Sequence, residues 1–138
     1  MRHQVKVRQL GRTKPHREAM LANLATSLFT NRTIKTTEPK AKELRKFADR
    51  LISTARTDSL AARRLVARTI KDKKALKKLF EEIAPQFKDR ESGFTRVLRI
   101  GFRRGDSATI SMVELLTAKP KVDKEKAKKK EKAAKKKI

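Results

Sequence analysis

The chain has 138 residues and no cysteine, and its 39 Lys and Arg residues outnumber its 15 Asp and Glu residues by 24. This composition excludes a disulfide framework and a thiolate metal site, and the length favours one domain. No apolar stretch approaches the roughly 20 residues that a membrane-spanning helix needs, and Met1 to Gln9 lacks the apolar run of a signal peptide. We therefore expect a cytoplasmic protein without a membrane partner. The excess positive charge predicts binding to the phosphate backbone of a nucleic acid.

The first 17 residues contain six Lys and Arg residues and no acid. We interpret residues 1–15 as an extended basic arm. Leu21, Leu24, Ala25 and Leu28 then follow the i, i+3, i+4, i+7 spacing of one helix face, which predicts a first helix from about His16 to Phe29.

A short run of β-branched residues from Thr33 to Thr37 predicts a strand. Pro39 follows at once and fits the first turn of a second helix, with Thr36 or Thr37 as its N-cap. An apolar stripe at helical spacing extends that helix to about Arg56 and comprises Ala41, Leu44, Ala48, Leu51, Ile52 and Ala55.

Two shorter helices are predicted next. Ser59 can cap a third helix whose apolar residues are Leu60, Leu65 and Val66. Asp72 can cap a fourth, ended by Pro85, with its apolar side formed by Leu76, Leu79, Phe80 and Ile83. On this fourth helix, Lys77 and Lys78 each have a glutamate four residues later, which predicts the ion pairs Lys77 to Glu81 and Lys78 to Glu82.

The segments from Phe94 to Ile100 and from Ala108 to Leu116 are rich in strand-forming residues, and Gly101 to Asp106 supplies turn residues between them. This pattern predicts a β-hairpin. The expected fold class is α+β, with about four helices packed on a small, mostly C-terminal sheet made of the hairpin and the one short earlier strand.

The last 20 residues differ in composition from the rest of the chain. Residues 119–138 contain eleven Lys, three acids and few large apolar residues. Such a segment cannot bury enough apolar surface to offset the entropy of ordering. We therefore place the end of a single domain, residues 1–118, at Ala118 to Pro120 and expect a disordered Lys-rich tail, which could be a solvated extension or could contact RNA transiently.

Two arginine-rich clusters have few acids near them in the sequence. The first comprises Arg2, Lys6, Arg8, Arg12, Lys14 and Arg17, and the second comprises Arg96, Arg99, Arg103 and Arg104. Guanidinium groups can form two hydrogen bonds to phosphate oxygens, so both clusters are candidates for RNA binding. A solvated basic surface is the alternative for each. His3 and His16 lie in the basic arm, where donation to phosphate is the simplest role.

Separated motifs in the chain also resemble a known family. They are Arg2-His3, Leu10-Gly11-Arg12-Thr13, His16-Arg17, Asn23-Leu24, Ile34-x-Thr36-Thr37, Lys40 to Arg45, Arg103 to Asp106 and Glu114-Leu115. Together they resemble bL17, the L17 family of bacterial large-subunit ribosomal proteins, over roughly Met1 to Leu116. The resemblance implies an α+β protein that binds 23S ribosomal RNA near the exit of the nascent-peptide tunnel, with other large-subunit proteins as neighbours.

Carried onto this sequence, the resemblance assigns RNA binding to the basic arm and to the Arg103–Asp106 turn. The complete predicted RNA-binding set is Arg2, His3, Lys6, Arg8, Arg12, Thr13, Lys14, His16, Arg17, Asn23, Lys35, Thr36, Lys40, Lys42, Arg45, Arg96, Arg99, Arg103 and Arg104.

The expected function is that of a non-catalytic structural protein of the large subunit. The absence of Trp and Tyr favours recognition of RNA shape and backbone over stacking on bases. An architectural DNA-binding protein would explain the charge almost as well, whereas an RNA-modifying enzyme would need a convergent catalytic site that the sequence does not offer. We expect no catalytic residues, cofactor, metal ion or small-molecule substrate.

Overall fold

The computed structural model describes residues 8–117, and the remaining termini, including the predicted tail, lie outside the described residues. The helices are α1 (Lys14–Asn31), α2 (Glu38–Ala55), α3 (Leu60–Thr69) and α4 (Lys73–Lys78), and the strands are β1 (Thr33–Thr37), β2 (Thr95–Phe102) and β3 (Thr109–Leu115). The predicted α+β class, with four helices and a small sheet near the C-terminus, is confirmed.

Helix α1 is longer than predicted at both ends. It begins with Pro15 in its first turn, where the missing N–H has no helical partner to lose. It ends at Asn31. The next residue, Arg32, adopts the left-handed conformation with φ of 63° and donates its N–H to the Leu28 carbonyl. The buried residues of the helix, Leu21, Ala25, Leu28 and Phe29, form one face against the core.

Helix α2 buries the whole apolar stripe predicted from the sequence. Thr37 occupies the N-cap position, but its side chain accepts no capping hydrogen bond. Pro39 lies in the first turn as expected. The helix packs against all three strands of the sheet and contributes a large part of the core.

The two predicted caps of the shorter helices are confirmed. The Ser59 hydroxyl accepts from the Ala62 N–H at 3.1 Å, and an Asp72 carboxylate oxygen accepts from the Lys74 N–H at 2.9 Å. Of the apolar residues predicted for α3, Val66 is buried as expected, together with Ala62, but the placement of Leu60 and Leu65 in the core is wrong. Leu60 and Leu65 are rotated away from the buried face and are 64% and 53% exposed.

The fourth helix changes its geometry instead of continuing to Pro85. After Lys78 the backbone widens into a π-helical turn, Leu79–Ile83, and then tightens into a 3-10 turn, Ala84–Phe87. Pro85 therefore does not end the helical segment. It lies at the start of the 3-10 turn, where its missing backbone N–H costs no helical hydrogen bond.

The π-helical turn also changes the ion pairs predicted for this segment. Lys77 lies 3.8 Å from Glu81, as expected. The predicted pair between Lys78 and Glu82 is wrong, because both side chains bond to the end of α1 instead. Lys78 donates to the Thr30 carbonyl at 2.6 Å, and Glu82 accepts from Arg32 at 2.9 Å.

The sheet has the order β1-β3-β2, and both pairings are antiparallel. Strand β1 has the predicted bounds, and the hairpin strands are close to those predicted. Gly101 and Phe102 belong to β2, so the turn starts later than expected. The register of β2 against β3 shifts between Arg99 and Gly101, which leaves Ile100 as a bulge without a partner in β3.

The helices cover one face of the sheet and leave the other open. Along β3, Ser111, Val113 and Leu115 are buried, while Ile110 and Met112 are only half-buried. Because successive residues of a strand point to opposite faces, the first set faces the helices and the second faces outward. The Thr95 hydroxyl donates to Asp49 of α2 at 2.9 Å and joins β2 to this helix.

Candidate nucleic-acid interface

The chain enters α1 through a tight turn. Leu10 and Gly11 both have positive φ, and the Arg12 N–H donates to the Gln9 carbonyl at 3.1 Å. Thr13 follows in an extended conformation as the N-cap, without a side-chain capping bond. This turn places Arg12 and Thr13 just before the first residues of α1, so the predicted residues Arg12 to Arg17 lie together at the start of a long helix.

Cations crowd this helix start although its own dipole opposes them. The first turn of α1 contains no acid, and Lys14 and His16 are exposed there. The helix N-terminus carries a partial positive charge, so anions are favoured and cations disfavoured at this end. Within residues 8–117, no carboxylate forms an ion pair with Arg12, Lys14 or Arg17. In the described part of the chain, the positive charge of these three side chains is therefore not balanced by an ion pair.

Arg12 is held by two contacts that leave its charge uncompensated. It donates Nη1 to the Leu10 carbonyl at 3.1 Å and Nε to Nε2 of His16 at 3.4 Å. In this arrangement Nε2 of His16 is an acceptor, so Nδ1 carries the proton and remains available as a donor. The remaining N–H groups of Arg12 and Nδ1 of His16 can donate to phosphate oxygens.

Arg8 differs from the other arm residues because a buried carboxylate lies beside it. Glu43 of α2 is 4% exposed, and its Oε1 is 3.8 Å from Nε of Arg8 and 3.2 Å from Nζ of Lys46. This carboxylate anchors the beginning of the described chain to α2. The prediction of a wholly unpaired arm is therefore wrong at Arg8.

The hairpin cluster has carboxylate partners that the sequence analysis did not foresee. Arg96 donates Nε to Glu114 at 2.6 Å across the β2–β3 pair. Arg99 is 2.9 Å from Glu38 of α2. The expectation that these arginines lack internal counterions is wrong, because folding brings acids to them from residues distant in the sequence.

The hairpin turn closes on an ion pair of its own. Arg103 donates Nε to Asp106 Oδ1 at 3.0 Å and makes a second bond to Oδ2. The hydrogen bond from Arg103, followed by that from the Ala108 N–H, lowers the pKa of Asp106 from 3.8 to about 2. Arg104 is exposed, and no carboxylate within residues 8–117 pairs with it, so it is the one member of the hairpin cluster left without a counterion there.

Glu38 is the first residue of α2 and joins two predicted site residues. Its Oε1 is 2.6 Å from Nζ of Lys42, while its Oε2 accepts from Arg99 at 2.9 Å. The hydrogen bond from Lys42, opposed by desolvation and supported by Arg99, lowers the pKa of Glu38. One carboxylate thus compensates half of the charge of this pair.

The other predicted RNA-binding residues do not form a single cluster with the start of α1 or with the hairpin arginines. Asn23 is exposed on α1, and Lys40 is half-exposed on α2. Arg45 is 4.0 Å from Asp49. Lys35 and Thr36 are neighbours on β1 and therefore point to opposite faces of the sheet. Arg2, His3 and Lys6 lie outside the described residues.

Further exposed cations were not predicted from the sequence. They lie on α3 and around the start of α4 and pair with no carboxylate within the described chain, namely Arg64, Arg68, Lys71, Lys73 and Lys74. The four-residue spacing of Arg64 and Arg68 was the available signal, since it puts both on one helix side with the exposed Leu60.

Two other features are absent from residues 8–117, namely a metal site and a membrane-spanning helix. No group of three or more His, Asp or Glu side chains in this range could hold a metal ion. No helix in the same range is long and apolar enough to cross a bilayer.

Comparisons of the sequence with known proteins identify its family. A sequence model of the family described as Ribosomal protein L17 matches residues 20–116. A large ribosomal subunit protein bL17 from Rickettsia bellii (strain OSU 85-389) is 50% identical over 116 residues, which cover 84% of this chain and 82% of that protein. A large ribosomal subunit protein bL17 from Anaeromyxobacter dehalogenans (strain 2CP-C) is 48% identical over 120 residues, which cover 87% of this chain and 74% of that protein. The chain belongs to the L17 family of structural, non-enzymatic proteins of the large ribosomal subunit.

Proposed function

We propose that the chain binds 23S ribosomal RNA through phosphate contacts made chiefly by the basic start of α1, residues 12–17. The observation that carries this proposal is the set of cations there, Arg12, Lys14 and Arg17, for which the described chain supplies no carboxylate. A cationic first turn on a positive helix end is unfavourable in the free protein and becomes favourable beside a polyanion.

The side chains at this helix start suit the RNA backbone more than the bases. Arginine can donate two parallel hydrogen bonds to a phosphate, and Nδ1 of His16 adds a single donor. Stacking on unpaired bases needs exposed aromatic rings, and residues 8–17 contain none except the imidazole of His16. The proposed contact therefore reads the position of phosphates and not the base sequence.

The resemblance to the family further suggests where this contact lies in the particle. We place the chain near the exit of the nascent-peptide tunnel, beside other large-subunit proteins. For the predicted residues outside the helix start, among them Asn23, Thr36, Lys40 and Arg45, contact with RNA stays a prediction. The alternative of an architectural DNA-binding protein loses its support, since the family shown by the comparisons is ribosomal.

The RNA contact can be tested by the salt dependence of binding. The double variant Arg12→Ala, Arg17→Ala of the full chain would be titrated against transcribed 23S ribosomal RNA at several salt concentrations. Each lost phosphate contact should flatten the plot of log affinity against log salt by about 0.7 to 0.9 units. We expect a decrease of about 1.5 units for the double variant.

A matched control replaces two arginines that already have carboxylate partners. The variant Arg99→Ala, Arg103→Ala removes the same charge, but both side chains are engaged by Glu38 and Asp106. The slope of log affinity against log salt should change by less than half as much in this control as in the Arg12, Arg17 variant. Equal slopes for wild type and the Arg12, Arg17 variant would contradict the proposed contact.

The position in the particle needs a separate experiment. Because the chain has no cysteine, Ser27→Cys would provide a single attachment point on the exposed side of α1. An iron chelate attached there and incorporated into large subunits should cleave 23S ribosomal RNA around the tunnel exit. Cleavage confined to other regions would refute that location while leaving the RNA contact itself intact.

A further inference from the structure

The open face of the sheet presents aliphatic side chains that no described element covers. Leu98 of β2 is opposite Met112 of β3, and Ile110 follows on the same face. Leu98 is 38% exposed, and Met112 and Ile110 are half-buried. Beside them the bulged Ile100 is 51% exposed. We call these four residues the open-face patch.

The middle of the open-face patch contains a notch. Gly101 is the β2 residue opposite Ile110, so no side chain stands there. A Cβ built on Gly101 would meet no atom within 4 Å, and its φ is not in the left-handed region. The backbone therefore does not require glycine. The absent side chain instead leaves room beside Ile110 for an apolar group from another molecule.

The charges around the open-face patch argue against RNA as its occupant. Arg96 lies on this face, but Glu114 neutralises it through the bond across the two strands. Among the described residues of this face, Lys35 is the only cation without a carboxylate partner, and it lies opposite Met112 on the β1 side. A polyanion needs several uncompensated cations, and bases need aromatic or guanidinium planes for stacking. The patch offers neither.

An apolar protein surface fits these features. We propose that the open-face patch docks an aliphatic segment of another large-subunit ribosomal protein, with one side chain in the Gly101 notch and a carboxylate beside Lys35. Exposed apolar residues on an edge strand are a hazard for aggregation unless a partner covers them. Because the chain belongs to a large ribosomal particle, such a partner is present in its assembled state. This inference does not depend on the RNA contact proposed for the start of α1.

Photocrosslinking inside the particle identifies the occupant. A photoreactive amino acid would replace Leu98 in the full chain, and large subunits containing it would be purified, irradiated and digested with ribonuclease. We expect an adduct that survives the ribonuclease and maps by mass spectrometry to an aliphatic segment of another large-subunit protein. The same replacement at Leu65, on the exposed side of α3, should not yield that adduct. An adduct to RNA, an adduct to a second copy of this chain, or no adduct would each overturn the proposal.

Filling the notch provides an independent test. Gly101→Val adds a β-branched side chain that suits a strand and meets open space. We expect retention in large subunits washed at high salt to fall about tenfold, while the unfolding midpoint and the affinity for naked 23S ribosomal RNA stay unchanged. Ala61→Val on the exposed side of α3 is the matched control and should be retained normally.

A second variant covers the case in which Gly101→Val lowers the unfolding midpoint. Leu98→Ser truncates an outward-facing side chain without adding volume, and it should also reduce retention severalfold. Normal retention of a folded Gly101→Val protein, or of Leu98→Ser if the valine variant is unstable, would contradict the docking proposal.

Discussion

The basic start of α1 and the basic hairpin contain similar arginine-rich sequences but differ in what the fold does with them. At the helix start, Arg12, Lys14 and Arg17 have no carboxylate partner within the described chain. In the hairpin, Arg96, Arg99 and Arg103 are all paired with acids. A cluster of cations in a sequence therefore does not identify a polyanion site until long-range ion pairs are known. The hairpin arginines contribute to the fold, and the helix start keeps its charge available.

The largest expected effect on RNA binding comes from reversing the charge at the start of α1. Arg12→Glu with Arg17→Glu should lower the affinity for 23S ribosomal RNA by about 100-fold or more at physiological salt, because two attractive contacts become repulsive. The unfolding midpoint should hardly change. Filter binding and thermal denaturation would measure the two effects.

The corresponding hairpin variant, Arg99→Glu with Arg103→Glu, should behave in the opposite way. Its affinity for RNA should fall by less than about tenfold, since those cations are already neutralised, and its unfolding midpoint should drop because each new glutamate faces an acid. Similar losses of affinity in both variants would remove the proposed distinction between the regions.

A second prediction concerns the attachment of the hairpin to α2. Asp49→Ala deletes the acceptor of the Thr95 hydroxyl, which is buried in β2. We expect a loss of about 1 to 2 kcal/mol in the free energy of unfolding, as is typical for a buried donor left without a partner. Urea denaturation would measure it. An unchanged free energy would show that this bond does not hold the hairpin.

Asp49→Asn adds a pH dependence to this prediction. Burial raises the pKa of Asp49 above its ordinary value of 3.8, although the bond from Thr95 opposes the shift. For a carboxyl with a raised folded-state pKa, the stabilising contribution is complete below the unfolded-state value and is lost as pH rises through the folded-state pKa. The Asn variant should therefore equal wild type in acid and be slightly more stable at pH 7. A variant that is less stable only near pH 7 would contradict this sign.

A third prediction concerns Arg99 of the hairpin, which should become available to RNA, like the cations at the start of α1, when its carboxylate partner is removed. Glu38→Gln removes the carboxylate that engages both Lys42 and Arg99. Its affinity for RNA should depend more steeply on salt, by up to about one unit of slope, because cations are released. Asp58→Asn, which frees the distant Arg63, is the matched control and should change the slope less.

The smallest effect is a shift in a single titration. The Asp106 carboxyl should titrate near pH 2 in the free protein, and Arg103→Gln should move that pKa upward toward 3.8. Because the folded-state pKa is depressed, its stabilising contribution is present above about pH 4 and is lost as pH falls through about 2. Carbon-13 NMR of the carboxyl would measure both values. An unchanged pKa in the variant would mean that Arg103 is not its cause.

Local features of this fold were predictable from sequence because they depend on neighbouring residues. The strand Thr33–Thr37, the caps Ser59 and Asp72 and the buried stripe of α2 follow from spacing and side-chain chemistry. The π-helical turn after Lys78 was not predictable, because tertiary contacts of Lys78 and Glu82 with the end of α1 accompany the wider geometry.

The candidate site was predicted only in part for a similar reason. The cationic start of α1 follows from composition, because Glu18 is the only acid among the first 37 residues. The pairing of Arg99 with Glu38 joins residues 61 positions apart, and only the packing of α2 against β2 brings them together. The exposed cations of α3 were missed because its core-facing side was assigned to Leu60 and Leu65 together with Val66, whereas the buried residues are Ala62 and Val66.

Arg32 illustrates how one position can be constrained from two directions. Its left-handed backbone is a conformation in which glycine is least strained, and its carbonyl accepts from the Leu115 N–H at 3.0 Å. Its side chain meanwhile donates to Thr117 Oγ1 at 3.0 Å and to Glu82 at 2.9 Å, so it connects three elements. Glycine at this position would relax the backbone but would lose the side-chain bonds to Thr117 and Glu82. Lysine would keep the backbone strain and would lack the planar guanidinium group that makes both bonds. No replacement at this junction is conservative, and tolerance to mutation should be lower here than at most surface arginines.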